Sequence, residues 1–239
     1  MFYKRPDTAC DNKKNLIMNI AFLIPCFNEQ ATIAEVVRRC KESLPEADVY
    51  VFDNNSTDKT TTFAEQAGAI VRQEHTQGKG NVVRRMFADI DADIYILCDG
   101  DMTYKMASAP LMVEKLIHEN QDMVVATRVS NHAVGQPYPK GHIFGNKILT
   151  GIVGSLFGKR FSDILSGYRV FSRRFVKSFP AISRGFEIET ELTIHALELR
   201  LPVTEVETPY YARPIGSESK LSTYKDGARI LLVILFLLK

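Results

Sequence analysis

The chain is poor in the features that mark several large protein classes. Its four cysteines, Cys10, Cys26, Cys40 and Cys98, form no close pair and no C-x-x-C, and its five histidines are scattered. That combination argues against a zinc site and for a reducing compartment. Net charge is only +2 and no run of five like charges occurs, so no nucleic-acid partner is expected. Residues 1–16 contain no apolar core segment, so no signal peptide is expected there. The apolar run Ile230 to Leu238 is nine residues long, whereas a spanning helix needs about 20. No G-x-G-x-x-G follows the first apolar run and no Walker A spacing occurs, which disfavours a dinucleotide-binding oxidoreductase and a P-loop enzyme.

What is present is enough for one large α/β domain: 239 residues, 45% hydrophobic and 24% charged, which excludes wholesale disorder. Strand-like and helix-like segments alternate. Ile20 to Ile24 reads as a strand ended by Pro25. Thr32-x-x-Glu35 has the form of a capping box before the helical stripe Ile33, Val36, Val37, Cys40, Leu44. Val49 to Phe52, Ala69 to Val71, Ile94 to Cys98 and Met123 to Ala126 read as further strands, with helices between them; Asp58 is placed to cap one that runs to Gly68. The second half offers helices at 142–157 and 187–199, a strand at 203–208, a loop-rich stretch at 162–171 and a mobile loop at 210–222. The expected fold is α/β, a mostly parallel sheet with helices on both faces, plus a C-terminal amphipathic or membrane-associated helix. Residues 1–17 read as a flexible extension, 18–222 as the domain (a donor-ligand half at about 18–127 and an acceptor half at about 128–222), and 223–239 as a membrane-proximal apolar helix. That last segment could also be a buried terminal helix, or the first half of a spanning helix. Its all-round apolarity, with Lys225 and Arg229 just upstream, favours the membrane edge.

In such sheets ligands bind at the carboxyl ends of the strands. Three polar clusters fall there: Asn28-Glu29, Asp53 to Asp58, and Asp99-Gly100-Asp101. The carboxylates of Asp99 and Asp101 are hard oxygen donors suited to Mg2+ or Mn2+, which a diphosphate can complete. Gly100 lets backbone approach a ligand. Asp53, with Asn55 beside it, can accept a hydrogen bond from a ring N–H of uracil or guanine. Gly78-Lys79-Gly80 can cradle phosphate. Against these stand plain readings: a solvated turn, and caps and turns built from short polar side chains. Asp99-Gly-Asp101-Met-Thr103 also fits the D-x-D-x-T signature of haloacid-dehalogenase-like phosphatases, but that motif sits at the first strand, and here three strand–helix units precede it.

Ile24-Pro25-Cys26-Phe27-Asn28-Glu29, the Asp53 to Thr60 stretch, Gly78-Lys79-Gly80 and Asp99-Gly-Asp101 follow the order and spacing of glycosyltransferase family 2, which this chain resembles over about residues 18 to 230. Asp163 to Phe171, Gly185 to Glu191, and Arg213 through Ser222 are similar to the dolichyl- or polyprenyl-phosphate sugar synthases of that family. The resemblance implies a GT-A fold, a nucleotide-diphospho sugar donor, and inversion at the sugar. It implies that Pro25, Asn28, Glu29, Asp53 and Lys79 line the nucleotide pocket, and that Asp99 and Asp101 hold the metal. Relatives carry Gln where this chain has Thr103, and two acids where it has Asp53-Asn54.

A hydroxyl acceptor needs a positioned base, whereas a lipid phosphate is already an anion and needs cations beside it. Arg128, Ser166, Arg169, Arg213 and Lys220, in the second half, are the candidates for binding that phosphate; Arg suits bidentate contacts. Their plain reading is ordinary surface charge. Families of the same fold that glycosylate hydroxyls often carry a Glu-Asp pair, and none occurs here. Asp163 and Glu187 are the substitutes, unless Asp163 orients Arg169 and Glu187 caps a helix. The expectation is a metal-dependent hexosyltransferase at the cytoplasmic face of a membrane, acting on a polyprenyl-type phosphate. The alternatives are transfer to a glycan or other hydroxyl, and a non-catalytic nucleotide-sugar-binding protein. The sequence leaves a homo-oligomer open.

Overall fold

The computed structural model describes residues 18–130, 140–158, 161–220 and 223–237. The proposed extension 1–17 lies outside them. Seven strands are present: β1 (Ile20–Cys26), β2 (Asp48–Asp53), β3 (Ile70–Gln73), β4 (Ile94–Leu97), β5 (Met123–Ser130), β6 (Arg169–Ser172) and β7 (Val203–Tyr210). They form one sheet in the order β3-β2-β1-β4-β6-β5-β7. All neighbours pair in parallel except β6, which runs antiparallel to both β4 and β5.

Side chains along a strand alternate between faces, and here each face meets its own core. From β1, Ala21 and Leu23 enter one core, and Phe22, Ile24 and Cys26 the other. Tyr95 and Leu97 of β4 divide from Ile94 and Ile96 in the same way. Both faces are therefore covered, as continuous apolar strands require. The helices α1 (Ile33–Ser43), α2 (Thr60–Gln66) and α4 (Ala109–His118) cover the second core. The first is covered by α3 (Lys79–Asp89), α5 (Lys140–Phe157), α6 (Arg173–Ser178), α7 (Ile188–Glu198) and α8 (Thr223–Leu237).

Several local expectations are corrected. Pro25 does not end β1. It pairs with Phe52 on the β2 side, while the ladder to β4 stops at Leu23, so its missing N–H leaves no gap there. Thr32 precedes α1 but forms no capping box. Its hydroxyl donates to the Gly100 carbonyl at 2.7 Å, and Glu35 pairs with Arg38 and Arg39. Asp58 does serve the start of α2, accepting from the Thr60 N–H at 2.9 Å. The stretch expected to be loop as far as Phe171 contains most of β6, whose four residues begin with the charged Arg169 and so offer only a two-residue apolar run.

The apolar tail is corrected in part. Among the described residues no helix is long and apolar enough to cross a membrane. The helix α8 packs on α7 and α5, with Ile230 and Ile234 inside the core. Burial of two such side chains is worth about 1.5–3 kcal/mol each. Its other side leaves Leu232, Leu235 and Phe236 more than half exposed, at 65%, 54% and 62%.

Candidate active site

The three polar clusters lie together at the carboxyl edge of β1, β2 and β4. Asn28 and Asn55 adopt left-handed backbone (φ 53° and 67°), a conformation asparagine tolerates better than most residues. Met102, just after the Asp-Gly-Asp turn, does the same (φ 61°). Such residues concentrate where surrounding structure forces the chain into a functional turn. The loops are cross-tied. The Asn28 N–H donates to Ser56 Oγ at 2.8 Å, and its Oδ1 accepts from the Thr57 N–H at 2.8 Å. Asn54, which stands in place of a second acid, ties the end of β2 to the Gly78 loop: it donates to the Glu74 and Thr76 carbonyls and accepts from the Gly78 N–H at 2.7 Å. Asn55 likewise donates to the His75 carbonyl at 2.9 Å. Pro25 lies half-buried at the start of this edge.

Asp53 is 2% exposed. Its Oδ2 accepts from the Ser56 N–H at 3.1 Å, while Oδ1 is buried with no partner. A buried acceptor without a donor is costly; an N–H from a bound base would satisfy it.

Asp101 is buried. Its Oδ1 accepts from the Thr103 hydroxyl at 2.6 Å and the Thr103 N–H at 3.1 Å, and its Oδ2 pairs with Arg213 Nη2 at 2.6 Å. Burial, then the neighbouring Asp99, pushes the Asp101 carboxyl up, against the pull of Arg213. Thr103 therefore orients Asp101. Asp99 Oδ1 meets Lys79 Nζ at 2.5 Å, and the same ammonium lies 2.5 Å from Glu189 Oε1. Burial alone would lower the Lys79 ammonium; Asp99 and Glu189 overrule it and hold it above its usual range. A Cβ on Gly167 would come within 2.5 Å of Asp99 Oδ2, and one on Gly100 within 2.8 Å of Cys26 Sγ. The space beside Gly100 is thus taken up by the end of β1.

The segment 211–220, expected to be mobile, is pinned across this edge. Its Tyr211 N–H donates to the Thr103 carbonyl at 2.9 Å, and Arg213 takes Asp101. Ser217 Oγ donates to Glu29 Oε2 at 3.1 Å, and Lys220 Nζ reaches Glu29 Oε1 at 3.0 Å and the Asn28 carbonyl at 3.1 Å. Burial raises the Glu29 carboxyl, with Lys220 pulling the other way.

Two of the residues expected at an acceptor phosphate do not present themselves to one, and a third is tied to a carboxylate. Arg169 is 0% exposed. Its guanidinium donates to the Ser166 carbonyl at 2.8 Å, the Ile164 carbonyl at 2.7 Å and the Thr193 hydroxyl at 2.8 Å. Burial pushes it down to about 10. It locks the 164–169 turn from inside. Ser166 is also fully buried, 3.5 Å from the Tyr104 hydroxyl. Arg128 is held by Asp163 through Nε at 2.5 Å and Nη2 at 2.7 Å. Asp163 therefore orients Arg128, not Arg169; burial would raise its carboxyl, but Arg128 draws it below the usual range. Glu187 directly precedes α7 and accepts from the Arg184 and Gly185 N–H groups through Oε1, while its buried Oε2 has no partner.

The donor set fits a divalent cation on its chemistry. Two carboxylates of one turn each touch a cationic side chain, so the site already compensates negative charge at both. No group of three or more His, Cys, Asp or Glu that could hold a metal occurs among the described residues. A magnesium-type ion held by two carboxylates and completed by phosphate oxygens matches that count. The sequence missed Glu189, Gly167 and Ser217 as parts of this site. Glu189 and Gly167 lie inside segments it had singled out, but their contacts with Lys79 and Asp99 join distant parts of the chain.

A mostly parallel sheet with paired carboxylates at its central strand end, and cations over them, is the arrangement of an α/β enzyme handling a phosphorylated ligand. The sequence model of glycosyl transferase family 2 matches residues 21–179, and the chain belongs to that family: it is a glycosyltransferase. The glycosyltransferase AglJ of Haloferax volcanii is 36% identical over 214 residues, covering 89% of this chain and 70% of that protein. An undecaprenyl-phosphate mannosyltransferase of Micrococcus luteus is 23% identical over 222 residues, covering 86% and 88%. Glucosyl-3-phosphoglycerate synthase from Mycobacterium tuberculosis, solved with Mn2+, uridine diphosphate and glucosyl-3-phosphoglycerate, superposes with a TM-score of 0.76 at 22% identity, covering 92% of this chain and 80% of that one. That likeness establishes a shared GT-A-like fold.

Proposed function

We propose that this glycosyltransferase moves a hexose, with inversion, from a nucleotide-diphospho sugar to the phosphate of a polyprenyl-type lipid at the cytoplasmic face of a membrane. The observation that carries the reading is the cation set brought onto the donor half from the 211–220 segment: Arg213 on Asp101 and Lys220 on Glu29. Both can turn toward phosphate, because their side chains remain partly exposed. Mg2+ or Mn2+, held by Asp99 and Asp101, would neutralise charge on the departing diphosphate. Asp53 Oδ1 accepts the N–H of the base, and Lys79 faces the diphosphate from the start of α3. Arg213 and Lys220 bring the acceptor anion beside a second polyanion, so no base is needed. The Mn2+ and uridine diphosphate bound by the tuberculosis synthase and the acceptor class named for the Micrococcus enzyme support this reading. The outward apolar side of α8 is suited to a lipid surface.

One observation favours a second reading, transfer to a hydroxyl. Glu187 keeps one carboxylate oxygen fixed and the other buried without a partner, as a base would. The test is purified full chain with UDP- and GDP-hexoses and Mn2+, offered polyprenyl phosphate, the matching alcohol, or phosphoglycerate. Glycosyl transfer to polyprenyl phosphate alone, retained in Glu187→Gln, is expected. Transfer only to a hydroxyl acceptor, lost in Glu187→Gln, would establish the second reading instead.

A further inference from the structure

The Lys79 ammonium lies 2.5 Å from each of two carboxylates of unlike surroundings. The Asp99 side chain is 26% exposed and opens to the strand edge; that of Glu189 is 6% exposed, in the first turn of α7. An ammonium has three donors and no acceptor, so it serves both at once. The two attachments differ in what their loss would leave behind. Asp99 can exchange Lys79 for another cation or for water. Glu189 sits in the interior, and parting it from Lys79 would strand a buried charge. Lys79 is itself almost enclosed, beneath the Phe186 ring at 5.9 Å, and its backbone position is fixed because the Gly80 N–H bonds the Arg184 carbonyl at 3.0 Å.

We infer that Glu189 is a positioning residue: it is the permanent counter-ion of Lys79, and by holding that ammonium it frees Asp99 to ligate the divalent cation. This rests on the reading of Asp99 and Asp101 as metal ligands. Without Glu189 the ammonium would have Asp99 as its only carboxylate partner and would compete with the metal for it. With Glu189, Lys79 stays beside the turn after Asp99 has changed partners, where it can meet a diphosphate. The role is distinct from simple core packing, because it predicts that removing Lys79 repairs the loss of Glu189.

The experiment is Mn2+ binding to the folded full chain without donor, followed by paramagnetic resonance of free Mn2+. The parent chain, Glu189→Gln, Lys79→Met and the double variant are compared, with circular dichroism melts as the check on folding. Glu189→Gln is expected to weaken Mn2+ binding by about tenfold or more, the range for residues that orient a ligand. The double variant should regain parental affinity. Equal affinity in Glu189→Gln and parent would overturn the inference, as would weak binding that Lys79→Met fails to restore. If Glu189→Gln does not fold, Lys79→Met alone decides: binding at least as tight as the parent supports competition, and weaker binding refutes it. The comparison is run without and with uridine diphosphate; a parent chain that binds Mn2+ in neither would instead remove the metal reading itself.

Discussion

Arg169 separates two accounts of the second half of this chain. Its sequence setting suggests a phosphate ligand, whereas its environment makes it an internal brace. In Arg169→Ala, the Ile164 and Ser166 carbonyls and the Thr193 hydroxyl lose their donor. A buried polar group left unsatisfied costs about 1–3 kcal/mol, and the vacated volume adds a cavity penalty. Relief of a buried cation offsets part of this: burial lowers the guanidinium to about 10, so it remains charged at neutral pH but is less stable than in water. A net destabilisation of about 3 kcal/mol is expected, lowering Tm by about 6–12 °C for a chain of this size. Thermal and urea unfolding measure it, alongside acceptor KM at permissive temperature. Arg213→Ala should differ in moving acceptor KM strongly; because it parts the buried Asp101 from its cation, it should also cost about 3 kcal/mol. An Arg169→Ala protein that melts with the parent yet needs far more acceptor would refute the brace and restore the phosphate ligand.

Other perturbations probe the remaining parts. Asp99→Ala or Asp101→Ala should abolish metal-dependent turnover of nucleotide sugar; full turnover in chelator would contradict the metal role. Gly167→Ala should leave the melt near the parent's but impair Mn2+ and donor binding, because the new methyl meets Asp99 at 2.5 Å; unchanged affinity would show that Asp99 can move aside freely. The Asp163 carboxyl is lowered in the folded state, so its stabilisation is full above the ordinary carboxylate value of about 4 and fades as pH falls through the lower folded value. Acid unfolding of Asp163→Asn should therefore lose that part of its slope, and identical acid limbs would argue against the Arg128 pair. On α8, Leu232→Ser with Phe236→Ser should reduce liposome flotation at constant Tm, while Ile234→Ser should cost about 2–5 kcal/mol; flotation insensitive to the outer pair would detach α8 from any membrane role.

Residues 18–127 were legible because their signals are local. Four or five apolar residues followed by short polar ones announce a buried parallel strand and its ligand-bearing end, and β1, β2 and β4 each do so. Residues 128–222 were less legible because their meaning depends on contacts across the chain. Nothing near Arg169 in sequence reveals that Ile164 and Ser166 fold back as acceptors around it. Thr32 has the form of a cap, yet the Gly100 carbonyl, brought in by β4, takes its hydroxyl. The apolar run 230–238 shows no polar face, so sequence could not reveal that Ile230 and Ile234 pack inward while Leu232 and Phe236 remain outside.

Charge explains why this edge can be both stable and receptive. Asp99, Asp101, Glu29 and Glu189 stand against Lys79, Arg213 and Lys220, each pair in direct contact. A dication arriving with a diphosphate adds charges of both signs, so Asp99 and Asp101 would stay paired through the metal when Lys79 and Arg213 turn to phosphate. Three of the four carboxylates are nearly buried, where an unpaired charge would be expensive. Exchange of partners, rather than creation of new charge, is then the low-energy way for donor to enter.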